Sequence, residues 1–163
     1  MAATVEALFN QELAPSRIII AVVDGELARF SHDPRVDVRS VEASTFYDAV
    51  LHVVDGDEPW IWTLHDDSVP HPSCLDALLA IGEASQKVGA VGPKQVGYGD
   101  RRHLIEVGIL ATRSGRRVPE VMPGELDQGQ YDWRADALAV GSAGMLVRRA
   151  ALDSVGGFDG TLG

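Results

Sequence analysis

The longest unbroken apolar stretch in this chain is Ile18–Val23, six residues. A bilayer span needs roughly 20, so the sequence encodes no transmembrane helix. The run is β-branched and lies between Pro15-Ser16 and Asp24-Gly25. It reads as a strand buried on both faces, the kind found in parallel sheets. Helical and strand patterns alternate around it. Residues 4–13 place Val5, Leu8 and Leu13 on one helical face, and Pro15 ends that helix. Residues 36–41 alternate apolar with polar, a half-buried strand. Residues 45–54 return to helical spacing through Phe46, Ala49, Val50 and Val53. Residues 60–64 (WIWTL) form a third strand. Ser73 with Asp76 three residues on gives a capping-box start to a helix over 73–87. Residues 88–91 are a fourth strand. Alternation through residue 93 predicts an α/β domain whose four strands share one mostly parallel central sheet.

Beyond that point the pattern changes. Residues 104–111 and 116–118, separated by Arg113-Ser114-Gly115, predict a β-hairpin. Residues 119–134 are polar and rich in Pro and Gly, a long loop. Residues 137–140 and 145–147 flank the small-residue turn Gly141-Ser142-Ala143-Gly144, and a short helix follows over 148–155. The length, 163 residues, suits a single domain. A net charge of −10 argues against a nucleic-acid binder held by phosphate contacts and against a polybasic membrane patch. The N-terminus has no basic region followed by an apolar one, so no signal peptide is visible. The single cysteine, Cys74, can form neither an internal disulfide nor a zinc site alone, and beside Leu75 and Leu78 it reads as a packed thiol. A reduced, cytoplasmic setting is expected.

In open α/β sheets, ligands bind beyond the carboxyl ends of the strands. Asp24, the pair Asp66-Asp67, and Asp159 fall at or near such ends. Adjacent carboxylates repel unless a cation or hydrogen-bond donors lie close. Mg²⁺ or Mn²⁺ takes one or two carboxylates together with phosphate oxygens. A solvated acidic turn is the alternative reading of the same residues. His65 and His71 flank the pair at a spacing that zinc could also use. Arg148-Arg149 could meet a phosphate or form a salt-bridged face, and Trp133 could be a sugar platform or a packed loop aromatic. No Walker A loop, dinucleotide Gly-x-Gly-x-x-Gly or Gly-x-Ser-x-Gly elbow is present.

Taken together, these residues resemble the family 2 inverting glycosyltransferases of GT-A fold. Ile18–Val23 with Asp24-Gly25 resembles the strand whose Asp contacts the nucleotide. Residues 60–72 (WIWTLHDDSVPHP) resemble the metal-binding Asp-x-Asp segment, with His65 where the first Asp is common. Residues 88–94 (VGAVGPK) resemble the strand that follows. Residues 141–159 (GSAGMLVRRAALDSVGGFD) resemble the acceptor-side segment and are the most specific stretch. The resemblance implies a single, incomplete GT-A-like domain over 1–163, with 1–93 the nucleotide-binding half and 94–163 the acceptor-side half. It implies transfer of a sugar from a nucleoside diphosphate-sugar to a carbohydrate or lipid-linked acceptor in cell-envelope polysaccharide synthesis. Asp67 is the expected metal ligand, Asp24 and Asp66 the nucleotide-side residues, and Trp133 and Asp159 the acceptor-side ones. The family's first strand has no counterpart here, and its catalytic base lies past the position of Gly163. The domain therefore reads as trimmed at both ends and inactive alone, from a parent at the cytoplasmic face of the membrane. The competing reading is a non-catalytic α/β binding or regulatory module. There, Asp24, Asp67 and Lys94 would imitate the acidic pocket of a phospho-receiver.

Overall fold

The computed structural model describes residues 2–23, 33–134 and 136–161. The order of elements is α1 (Ala2–Phe9), β1 (Ile18–Val23), β2 (Val36–Val41), α2 (Phe46–Val53), β3 (Trp60–Trp62), α3 (Cys74–Glu83), β4 (Ala90–Val91), β5 (Gln95–Val96), β6 (Leu104–Glu106), β7 (Leu110–Ala111), β8 (Arg117–Val118), β9 (Leu146–Arg148) and α4 (Arg149–Ser154). The class is α/β, and through β4 the elements follow the expected sequence.

The sheet differs from the expectation. Among the described residues, β1 pairs in parallel with β2, Ile18 opposite Val36 through Val23 opposite Val41. The other named ladders are antiparallel. β9 inserts between β3 and β4, with Trp62 and Val91 both opposite Leu146. Four strands in one mostly parallel sheet are thus replaced by a parallel pair and an antiparallel three-stranded sheet. The physical reason is local. Leu146 is the most deeply buried large side chain, at 1% exposure, and its strand returns from the far end of the chain to sit on Leu75, Leu78 and Val91. Between β1 and β3, side chains make the junction instead of a ladder. Trp62 and Leu64 pack on the cluster of Val5, Leu8, Ile18, Ile20 and Val22. Trp62 also packs on the Leu75–Leu78–Val91–Leu146 cluster and so joins the two cores. β1 buries one face and leaves the other half-buried, rather than burying both.

The long strand expected over 104–111 is also divided. β6 pairs with β5, while β7 pairs with β8 around Arg113-Ser114-Gly115. Between them Gly108 takes φ +119°, where an added Cβ would stand 2.9 Å from the Cβ of Ala137. A residue with a side chain would not pass there.

α3 begins where expected, but its cap is different. Ser73 makes no side-chain cap; its hydroxyl is hydrogen-bonded to His71 Nδ1 at 2.9 Å. Gln11 takes the role. Its Oε1 accepts from the Leu75 amide at 3.1 Å, and its Nε2 donates to the carbonyls of His71 at 2.8 Å and Ala7 at 3.1 Å. The segment after α1 therefore fastens the loop between β3 and α3.

Candidate functional site

β3 ends at Trp62, and the next residues are bound to the turn that precedes β9. Thr63 donates its amide to Met145 O at 2.8 Å and its hydroxyl to Ser142 O at 2.7 Å. The Gly144 amide donates to Thr63 O at 2.8 Å, and Trp62 Nε1 donates to Gly144 O at 3.0 Å. Positive φ at Gly144 (+100°) lets this turn close against Pro93, where a Cβ would come within 2.7 Å. His65 extends the junction by one more bond, between Nε2 and Ser142 Oγ at 2.9 Å.

Asp66 and Asp67 follow at the carboxyl end of β3, and both are exposed. The backbone beneath them is held from the other side: Thr4 donates its hydroxyl to Asp66 O at 2.8 Å. No described basic side chain forms an ion pair with Asp67. Asp24 lies outside the described residues.

The Gly-Gly-Phe-Asp segment arrives at the same end of the molecule. Phe158 stacks on Tyr47 with centroids 5.2 Å apart, Tyr47 meets Phe46 edge-on at 5.5 Å, and Phe46 packs on the His65 ring at 4.3 Å. Thr45, which caps α2 by accepting from the Asp48 amide, also donates its hydroxyl to Gly160 O at 3.1 Å. Asp159 accepts from the amide and hydroxyl of Thr161 at 2.9 and 2.6 Å. The hydroxyl bond first, and the amide bond with it, hold this carboxylate below the ordinary range. Three segments far apart in sequence are thus joined by contact around residues 65–67.

Trp133 stands elsewhere. It is 81% exposed, and its Nε1 donates to Gln130 O at 2.8 Å. Its loop is tied down by Arg134 to Glu120 and by Lys94, which reaches Asp127 and Asp132 at 2.7 Å each. Bonding to Asp127, then to Asp132, raises the Lys94 pKa. Lys94 thus serves the loop, and the receiver-like trio with Asp67 is not assembled by it. The two histidines near the acidic pair bind different serines, His65 to Ser142 and His71 to Ser73. Among the described residues no three His, Cys, Asp or Glu side chains converge as a metal cage.

Arg148 and Arg149 are occupied by backbone. Arg148 donates to the carbonyls of Val88, Gly82 and Ser85 and lies over the Trp60 ring at 4.2 Å. Arg149 donates to Glu58 O and Asp55 O and approaches the Glu58 carboxylate at 3.6 Å. Neither is presented to a phosphate. Burial raises the Cys74 thiol pKa, the opposite of what activates a nucleophile.

Sequence reasoning placed His65 beside the acidic pair but found neither its bond to Ser142 nor the bonds of Thr4 and Gln11 to residues 66–75. Those bonds span 60 or more residues, so no local spacing reports them. A family model described as glycosyltransferase like family 2 matches residues 1–163. No curated protein and no solved structure matches the chain.

Proposed function

This chain belongs to the glycosyltransferase like family 2, and on that premise we propose that it serves transfer of a sugar from a nucleoside diphosphate-sugar to a carbohydrate or lipid-linked acceptor. The family implies glycosyl transfer and the GT-A fold. The observation that carries the finer reading is the exposed Asp66-Asp67 pair at the carboxyl end of β3, with the 141–144 turn bonded beside it.

The donor set fits a hard divalent ion. It consists of carboxylate oxygens, too few to form a cage alone, and Mg²⁺ or Mn²⁺ completes its shell with phosphate oxygens and water. Asp67, with Asp66 beside it, would hold the ion, whose chemistry when bound is to offset charge on the departing diphosphate. Asp24 would meet the base or ribose. Residues 1–93 would then face the donor and 94–163 the acceptor, with Trp133 a candidate ring for sugar stacking.

Inversion at the anomeric carbon requires a base for the acceptor hydroxyl, with a pKa near working pH. Asp159 is poorly suited, because Thr161 stabilises its ionised form. We expect residues 1–163 alone to show no robust transfer, which an assay of nucleoside diphosphate-sugar turnover checks. A role in cell-envelope polysaccharide synthesis at the cytoplasmic face of a membrane completes the proposal.

Calorimetry with UDP or GDP, with and without Mn²⁺, tests the site. Asp67→Asn should weaken Mn²⁺-dependent binding by tenfold or more, about 1.4 kcal/mol. Asp57→Asn, exposed in the loop before β3, should stay within about twofold of wild type on the same scale. Equal binding by both variants, or binding indifferent to metal, returns Asp66-Asp67 to a solvated turn.

A further inference from the structure

We propose that His65 is a positioning residue, tying the Asp66-Asp67 segment to the 141–144 turn on one side and to Phe158-Asp159 on the other. The proposal rests on the reading of Asp66-Asp67 as donor-side carboxylates and adds how they are held against the acceptor-side segment. Five hydrogen bonds join the end of β3 to residues 142–145, and all five use Trp62 or Thr63. They fix the turn against the strand but stop short of the acidic pair. The His65–Ser142 bond is the contact from the turn to the residue next to Asp66. On the opposite side, the Thr4 hydroxyl pins Asp66 O. The two carboxylates therefore leave a short backbone segment anchored to two different elements.

The imidazole is itself restrained. One ring face lies on Phe46, tilted by 34°. Phe46 and Tyr47 open α2, and Tyr47 carries Phe158. A change in the position of Phe158 is transmitted through packed rings to His65, and from its Nε2 to Ser142. Ring packing of this kind resists small displacements, since interiors are close-packed. A side chain of different shape at residue 65 could fill the space on Phe46, but without a polar atom at the Nε2 position it would release Ser142.

Isotope-labelled 163-residue chain tests this without any ligand. Ser142→Ala should shift the amide signals of Asp66 and Asp67 and the ring signals of Phe46, whereas Ser142→Thr should leave them near wild type. His65→Gln, which keeps a polar atom near the Nε2 position, should leave the Ser142 amide signal near wild type, whereas His65→Phe should shift it. Shifts confined to residues 140–146 in Ser142→Ala would overturn the proposal. Thermal midpoints give an independent reading. His65→Phe and Ser142→Ala should each lower the midpoint by about 2–4 °C, the loss of one neutral hydrogen bond. The double variant should fall no further than the lower single; fully additive losses would overturn the proposal.

Mn²⁺ alone then separates this inference from the metal reading. In wild type, paramagnetic broadening should centre on Asp67 and extend to Ser142. In His65→Phe it should persist at Asp67 and weaken at least twofold at Ser142. Equal broadening at Ser142 in both proteins counts against His65. Absence of broadening near Asp67 in wild type removes the metal reading, while the amide shifts and midpoints still decide the role of His65.

Discussion

Gln11 shows how one side chain can organise a region that its own neighbourhood does not announce. In sequence it is one polar residue near the end of an amphipathic segment. In the fold it is 6% exposed and bridges two loops, accepting from Leu75 and donating to His71 O. The Ser73–Asp76 spacing pointed to a local cap, and the helix start was legible from it. The actual cap lies 64 residues away, beyond the reach of any spacing rule. Gln11→Leu would keep the volume and orphan both partners. We expect a loss of about 2 kcal/mol, from one helix cap and one unmet carbonyl, or about 4–8 °C in the midpoint. Gln11→Glu keeps the acceptor and should lose less. Equal midpoints for Gln11→Leu and wild type would show that water replaces both bonds. The acidic pair was legible for a different reason: adjacent carboxylates at a strand end have no folding use that a sequence pattern supplies. The His65–Ser142 bond had no such signal, since the two residues lie 77 apart.

At the scale of elements, α1, β1, α2 and α3 follow their periodicity because each buries a face wide enough to leave a pattern. β7 and β8 have two residues each, too few to show a period. Gly108 divided a stretch that reads as one strand. Charges sit at the opposite end of β1 from the site. Arg17 precedes β1 and meets Asp55 at 2.6 Å and Asp37 at 3.4 Å, while Arg39 meets Asp37 at 2.7 Å and Asp55 at 2.8 Å. Hydrogen bonds from Arg39 to Asp37 and from Arg17 to Asp55 are the leading causes that lower these two carboxylates below their ordinary 3.8. Arg35 and Arg102 lower Asp33 and Asp100 to about 2 in the same way. A depressed folded-state pKa stabilises above the unfolded value and loses that stabilisation as pH falls through the folded one. Thermal midpoints should therefore be flat from neutral pH to about 5 and fall between about 4 and 2. The groups are solvent-accessible, so added salt should shrink the effect. Asp55→Asn should lower the midpoint at neutral pH and converge with wild type near pH 2. A constant gap at every pH would mean that the ion pairs at Asp55 contribute nothing.

Across the whole molecule, the decisive departure from the sequence reading is that β1–β2 and β3–β9–β4 are separate sheets. Alternation of elements specifies the class but not which strand edges meet, because pairing depends on contacts between distant segments. Between the two sheets runs an open groove of about 1010 Å³, lined mainly by apolar side chains including Ile19, Ala21, Val50, Trp60 and Leu146. Among the described residues, β1 pairs with β2 alone and β3 with β9 alone, so each leaves one edge outside any ladder. Unpaired edges beside apolar surface promote association. We expect the chain to bind a hydrophobic dye such as anilinonaphthalene sulfonate in its native state, and its sedimentation coefficient to rise with concentration. Ile19 lines the groove and is only half-buried, outside both core clusters. Ile19→Lys should thus reduce dye emission and self-association together while preserving the far-ultraviolet circular dichroism. A wild-type chain that leaves the dye dark and sediments as one species at all concentrations would show that the groove closes in solution.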